Sequence, residues 1–310
     1  MVTLDRRSGA PTDAISIAFI VDRRYLADQA LSGALAWLRA EGCRVELIVP
    51  DGNEQLFPVP REAPAWDAVV TRGRALAGFG LLAAAAARGV MPVNSPAAIE
   101  LVRNKVAMQA RLMDHGIPVP RTWFAAHAGV FERLSPEYFP LVVKPFDGDG
   151  ARGLALLTGP ADVRLLPRPR GRRGLYLAQE WLETDGWDLK LYGIGSRMWA
   201  VRKPSPVDLS RAGPARVSPV EGATIVSLDA ELRDIGLTCG RACGLELWGV
   251  DVARTPGGPV VIEVNDFPTY SAIPEAGSAI ARHTMTLARM HRAAREAGSG
   301  RLHVFSRPNA

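Results

Sequence analysis

The sequence predicts an α/β protein, with a small doubly wound parallel domain followed by a mixed α+β region. Three observations carry this expectation. Apolar strands alternate with helical patterns over residues 14–95, which is the order of a parallel sheet with helices on its faces. From Ser95 the alternation stops, and strands bounded by Gly- and Pro-rich turns take over. Residues 245–268 read LELWGVDVARTPGGPVVIEVNDFP, two strands joined by a Pro-Gly-Gly loop. The expected organisation is a disordered tail over 1–13 and an N-terminal α/β domain over 14–95. A central domain over 96–178, a C-terminal domain over 179–297 and a tail over 298–310 follow.

In chain order, residues 15–21 form a buried strand, and 25–41 an amphipathic helix with Leu26, Ala30, Leu31, Leu35 and Leu38 near helical spacing. Strands follow at 44–49, 66–70 and 91–94, with an Ala-rich helix over 78–88. No GxGxxG follows the first strand, so nothing marks this domain as a dinucleotide binder. Ser95 caps a short helix that has Pro96 at its first position. A second helix spans 104–115 with Lys105 at its start. Pro118 and Pro120 keep the next segment extended.

A buried strand over 139–145 places Lys144 at its C-terminal end, before the loop DGDGARG at 147–153. Its glycines let backbone N–H groups approach an anion; a tight hairpin with no ligand is the alternative. Strands over 154–157 and 175–182 flank RLLPRPRGRRG, read as a solvated basic loop. Residues 187–194 and 196–202 form an antiparallel pair turning at Gly195. A Pro- and Ser-rich loop over 207–222 has the length of an active-site loop. Helices over 228–243 and 278–297 bracket the hairpin. His283 and His291 on the last helix read as packing or solvated residues rather than ligands.

Within the hairpin, a three-residue loop with positive φ at Gly258 sets Thr255 opposite Pro259, Asp251 opposite Glu263 and Gly249 opposite Asn265. Alternation then gathers Trp248, Val250, Val252, Val260, Ile262 and Val264 on an apolar face, and Asp251, Glu263 and Asn265 on the other. Opposed carboxylates repel on a sheet, whereas such oxygen ligands suit a hard cation such as Mg²⁺.

Composition narrows the class. A chain of 310 residues with 47% hydrophobic residues can bury a large core. No apolar run is long enough to span a bilayer, and residues 1–14 lack an apolar signal core, so a cytoplasmic protein is expected. Three cysteines are too few for a disulfide framework, and Cys239 and Cys243 read as packing residues. The net charge of +5 suits an anionic substrate without implying nucleic acid.

The chemistry-bearing pieces come in a particular order: NK at 104–105, LVVKP at 141–145, DGDGARG at 147–153, LAQEWLE at 177–183, WDLKLYGIG at 187–195 and GVDV…VVIEVN at 249–265. Over about residues 94–276 this order resembles the ATP-grasp superfamily, specifically its glutamate-ligase-like (RimK-like) branch. The resemblance implies two α+β subdomains clamping ATP, preceded by the small α/β domain. It implies ATP and Mg²⁺ (or Mn²⁺) as cofactors, and an ATP-dependent carboxylate–amine ligase working through an acyl phosphate. The substrates implied are a small carboxylate and an amine, or a peptide, with no nucleic acid and no membrane; dimers are common in the family.

By the same resemblance Lys105 and Lys144 neutralise the phosphates, and Asp147, Gly148, Gly150 and Gly153 belong to a lid over them. Gln179, Glu180, Trp181 and Leu182 line the adenine pocket, Glu183 or Asp188 meets the ribose, and Lys190 joins the nucleotide site. Asp251, Glu263 and Asn265 hold the cation, and Arg202 stabilises charge on the transferred phosphoryl group, unless it makes only a structural ion pair. The branch usually has Arg where Lys190 stands, Arg216 matches its Arg-Ser-Asn element only loosely, and residues 266–277 replace a Ser-Pro-Gly turn. Residues 202–205 and 265–268 also look like the inositol-trisphosphate kinases of the same fold, so a small-molecule kinase is the alternative.

Overall fold

The computed structural model describes residues 13–51, 56–59, 61–146, 153–166, 174–205, 207 and 222–298. The expected tails over 1–13 and 298–310 thus fall almost wholly outside the described residues.

Strands β1 (Ser16–Val21), β2 (Arg44–Ile48), β3 (Ala68–Arg72) and β4 (Met91–Pro92) form a parallel sheet in the order β2-β1-β3-β4. Every residue of β1 and β3 is buried, as a parallel sheet covered on both faces requires. Helix α1 (Gln29–Ala40) starts later than expected. Residues 23–25 make a 3-10 turn, and the Asp28 side chain accepts from the Ala30 and Leu31 N–H groups to begin the helix. Helix α2 (Leu76–Ala86) follows β3. The expected fourth strand stops at Pro92, and Asn94 leaves the sheet. Its side chain donates to Leu247 O at 2.8 Å and accepts from the N–H groups of Glu246 and Leu247.

Helices α3 (Pro96–Arg103) and α4 (Lys105–Asp114) are capped by the Ser95 and Asn104 side chains. A second sheet follows: β5 (Thr122–Ala125), β6 (Leu141–Pro145), β7 (Ala155–Leu157) and β8 (Tyr176–Glu180), antiparallel in the order β5-β8-β6-β7. Leu141, Val143, Leu157 and Ala178 pack on Phe131 and Val163. By alternation its other face carries Thr122, Lys144, Leu177 and Gln179.

The third sheet is antiparallel, in the order β11-β10-β9-β12-β13. It comprises β9 (Trp187–Ile194), β10 (Arg197–Pro204), β11 (Thr224–Val226), β12 (Leu247–Thr255) and β13 (Gly258–Asp266). Helix α5 (Ala230–Cys243) covers one face. Trp248 lies buried between them, over glycines: a Cβ at Gly193 would come within 2.0 Å of the indole, and one at Gly240 within 2.6 Å. Helix α6 (Ala276–Glu296) crosses α1 closely, and a Cβ at Gly277 would meet the Ala30 carbonyl oxygen at 2.9 Å.

Two expectations shift here. The boundary at 178/179 falls inside β8, because Gln179 and Glu180 pair with β5 and β6. Residues of α6 share a core with α1 and the N-terminal sheet, and those of α3 and α4 share one with α5 and Trp248. The hairpin register is also corrected. Asp251 pairs with Glu263 and Gly249 with Asn265, as expected, but Thr255 pairs with Gly258. The turn is therefore two residues long, and a bulge after Asp251 absorbs the difference. Hence Val261, not Val260 or Ile262, joins Val252 on the buried face. Gly258 does take a positive φ, of 111°.

Candidate active site

Rows of paired residues cross the third sheet, and each row projects to one face. Val201, Lys190, Asp251 and Glu263 form one row. Lys203, Asp188 and Ala253 stand beside it on one side, and Trp199, Tyr192, Gly249 and Asn265 on the other. All three rows share a face. Lys105, held at the start of α4 by the Asn104 cap, and Lys144, at the C-terminal end of β6, reach the same place from outside the sheet.

The contacts are ionic. Lys105 Nζ lies 2.5 Å from Glu263 Oε1, and Lys144 Nζ 4.0 Å from Glu263 Oε2. Lys190 Nζ donates to Asp251 Oδ2 at 2.7 Å, and Lys203 Nζ to Asp251 Oδ1 at 3.1 Å. Asn265 Nδ2 also donates to Asp251 Oδ2, at 3.1 Å. Burial pushes the Asp251 carboxyl up, but the charges and hydrogen bonds of Lys190 and Lys203 hold it well below the usual carboxylate range. Burial, reinforced by Lys105, lowers the Lys144 ammonium, with Glu263 opposing. The Asp251 charge raises Lys203.

This is a cluster with cations in excess: four lysines, 105, 144, 190 and 203, stand against the carboxylates of Asp188, Asp251 and Glu263. Such a balance suits a polyanion that brings its own charge. Among the described residues no three His, Cys, Asp or Glu side chains come together as a ready-made metal site. A hard cation would therefore use Asp251, Glu263 and the Asn265 amide oxygen, a donor set that fits Mg²⁺ when phosphate oxygens complete it.

The remaining expected residues divide. Gln179 is buried, and its Nε2 donates to Thr122 Oγ1 at 3.1 Å. The Glu180 carboxylate accepts from the Arg121 N–H at 2.9 Å, and the Trp181 N–H bonds Pro140 O at 3.0 Å. Leu182 is half-buried and Glu183 exposed. Gly153 has φ 75° and packs against Pro145. Asp147, Gly148 and Gly150 lie outside the described residues, as do most of the basic loop and of the 207–222 loop, Arg216 included.

Arg202 is not brought to the site. In a strand it projects opposite to Val201 and Lys203. It pairs with Asp185 at 2.8 Å and lies 4.4 Å over the Trp187 ring, with 41% of its side chain exposed. Lys203, one residue on, occupies the charged face instead. Strand alternation applied to Lys190 and Asp251 was the signal for it. Two arginines also escaped the sequence reading. Arg103 bonds Asp266 at 2.8 Å and Gly73 O at 2.6 Å, and Arg72 bonds Phe267 O and Thr269 Oγ1. Together they tie the segment after Asn265 to the N-terminal domain.

A family model described as a RimK-like ATP-grasp domain matches residues 102–286. This chain is a member of the RimK-like ATP-grasp family. It is 31% identical over 225 residues to a probable alpha-L-glutamate ligase 1 of Shewanella denitrificans (strain OS217), covering 70% of this chain and 75% of that protein. The structure is similar to D-cycloserine synthetase DcsG, with TM-score 0.68 and 19% identity over 89% of this chain and 99% of the other. It is also similar to the ATP-grasp ligase PsnB complexed with precursor peptide PsnA2 and AMPPNP, with TM-score 0.65 and 19% identity over 91% and 100% of the two chains. The RimK-like protein described here is an ATP-dependent carboxylate–amine ligase, a carbon–nitrogen bond-forming enzyme, and the kinase alternative is not favoured.

Proposed function

We propose that the charged face of the third sheet binds Mg-ATP and that the enzyme activates the carboxylate of an amino acid, free or at a peptide end, for attack by an amine. The observation that carries this reading is the row Lys190–Asp251–Glu263 with Lys105 and Lys144 closing on it. The names of the relatives support an amino-acid or peptide substrate. Lys105 and Lys144 exchange Glu263 for phosphate oxygens, which frees that carboxylate for the cation. Asp251, Glu263 and Asn265 would hold Mg²⁺, which supplies charge neutralisation on the phosphates when bound.

A carboxylate oxygen attacks the γ-phosphorus of ATP, the bond from that phosphorus to the β,γ-bridging oxygen breaks, and ADP leaves. The amine then attacks the acyl carbon, the C–N bond forms, and inorganic phosphate departs as the amine gives up a proton. Lys203, with two ammonium hydrogens beyond its bond to Asp251, would donate them to the transferred phosphoryl group. The enzyme's part is positioning and charge stabilisation, with no covalent enzyme intermediate. The second sheet and the third are the two jaws about the nucleotide. An intracellular ATP supply assigns the enzyme to the cytoplasm; no helix among the described residues is long and apolar enough to cross a membrane. Incubation with ATP, Mg²⁺, L-glutamate and hydroxylamine tests the reading. Formation of ADP and a glutamyl hydroxamate is the expected result. Transfer of the γ-phosphate to a stable product would refute it.

A further inference from the structure

Buried phenols nearly always find a hydrogen-bond partner. Tyr270 does: its hydroxyl donates to Gly193 O at 2.8 Å. Tyr192, whose ring lies 5.4 Å from that of Tyr270, does not. Tyr192 is 8% exposed, yet its hydroxyl makes no hydrogen bond among the described residues. Nor is it one of the hydroxyls sealed from solvent, as those of Thr71 and Thr284 are.

Its position explains the difference. The face that carries Asp251 and Glu263 changes character along β9. Toward Ile194 and Leu247 it is covered by the N-terminal core, and toward Lys190 it is charged. Tyr192 stands at that border. Its ring belongs to the core, and its row neighbour across β12 is Gly249, over which Pro268 and the Lys190 stem close. A Cβ at Gly249 would fall 2.9 Å from Pro268 and 3.1 Å from the Lys190 stem. On the other side Trp199 is fixed by its indole N–H to Glu275 Oε1 at 2.8 Å. Burial and the nearby Asp251 charge push the phenol up to about 12, so it keeps its proton and is a donor at neutral pH.

We propose that the Tyr192 hydroxyl, held at the border of the charged face, donates a hydrogen bond to the substrate carboxylate that receives the phosphoryl group. This rests on the ligase reading of the same face. Tyr192 keeps its proton throughout and serves to orient one carboxylate oxygen while the other attacks phosphorus.

The test is Tyr192→Phe, which keeps the ring and removes only the hydroxyl. Wild-type and variant are compared by hydroxamate formation with ATP, Mg²⁺ and hydroxylamine, using L-glutamate first and then the other common amino acids. The KM for the amino acid is expected to rise about tenfold, in keeping with a lost bond to a charged group. The KM for ATP should stay within about twofold and the Tm within a few degrees. Tyr270→Phe should do the reverse, lowering the Tm and leaving both KM values alone. An unchanged amino-acid KM in Tyr192→Phe, or an equal rise for ATP, overturns the assignment while leaving the ligase reading intact. No hydroxamate from the wild-type enzyme with any amino acid removes the carboxylate itself and overturns both.

Discussion

The two faces of the third sheet are built from the same strands and do opposite things. One face presents Leu189, Leu191, Ala200, Val250, Val252, Val261 and Val264 to α5, and it is sealed. The other presents Lys190, Lys203, Asp251, Glu263 and Asn265, half-buried and bound to each other by charge. An apolar face gains by losing water. A charged face this dense gains only if each charge has a partner, and on the proposed reading those partners exchange, phosphate replacing carboxylate on the lysines and a cation replacing lysine on the carboxylates. On that reading stability is concentrated on one face and ligand exchange on the other.

Substitutions should separate the two. Asp251→Asn, on the charged face, should cut turnover about a hundredfold or more while the protein still folds, measured by ADP release alongside thermal unfolding. Trp248→Ala, on the sealed face, should cost about 3–5 kcal/mol of stability in denaturant unfolding. Adjacent residues of β10 give a finer contrast. Lys203→Ala should lower turnover about tenfold or more. Arg202→Ala removes a solvent-exposed ion pair and should change stability by no more than about 1 kcal/mol and turnover hardly at all. The smallest effect is chemical. Burial raises the thiols of Cys239 and Cys243, the latter to about 12, and raises Cys43 as well. Native protein at neutral pH should therefore leave all three unreacted with a thiol reagent, and unfolded protein should titrate three.

The same division describes what could be read from the chain. Alternation made Asp251 and Glu263 neighbours and set them apart from Val250, Val252 and Val264, because a period of two is a property of the strand itself. The bulge that turned Val261 inward was not legible. A two-residue turn and a three-residue loop both fit Thr-Pro-Gly-Gly, and packing against the core chooses between them. Arg202 takes the alternative role, a structural ion pair with Asp185, because strand parity turns it away from Lys203 and the charged face. The closeness of α6 to α1 depends on two glycines, Gly33 and Gly277, distant in sequence, that neither helix announces. Arg72 and Arg103 likewise act only once the N-terminal domain meets the segment after Asn265.

The central claim is that the charged face is the Mg-ATP site, and calorimetric titration of Mg-ATP tests it most directly. The wild-type protein should bind saturably and only with a divalent cation present. Lys144→Ala should weaken binding about tenfold or more, and Arg202→Ala should leave it unchanged. Equal affinity in Lys144→Ala, or binding indifferent to the cation, would contradict it.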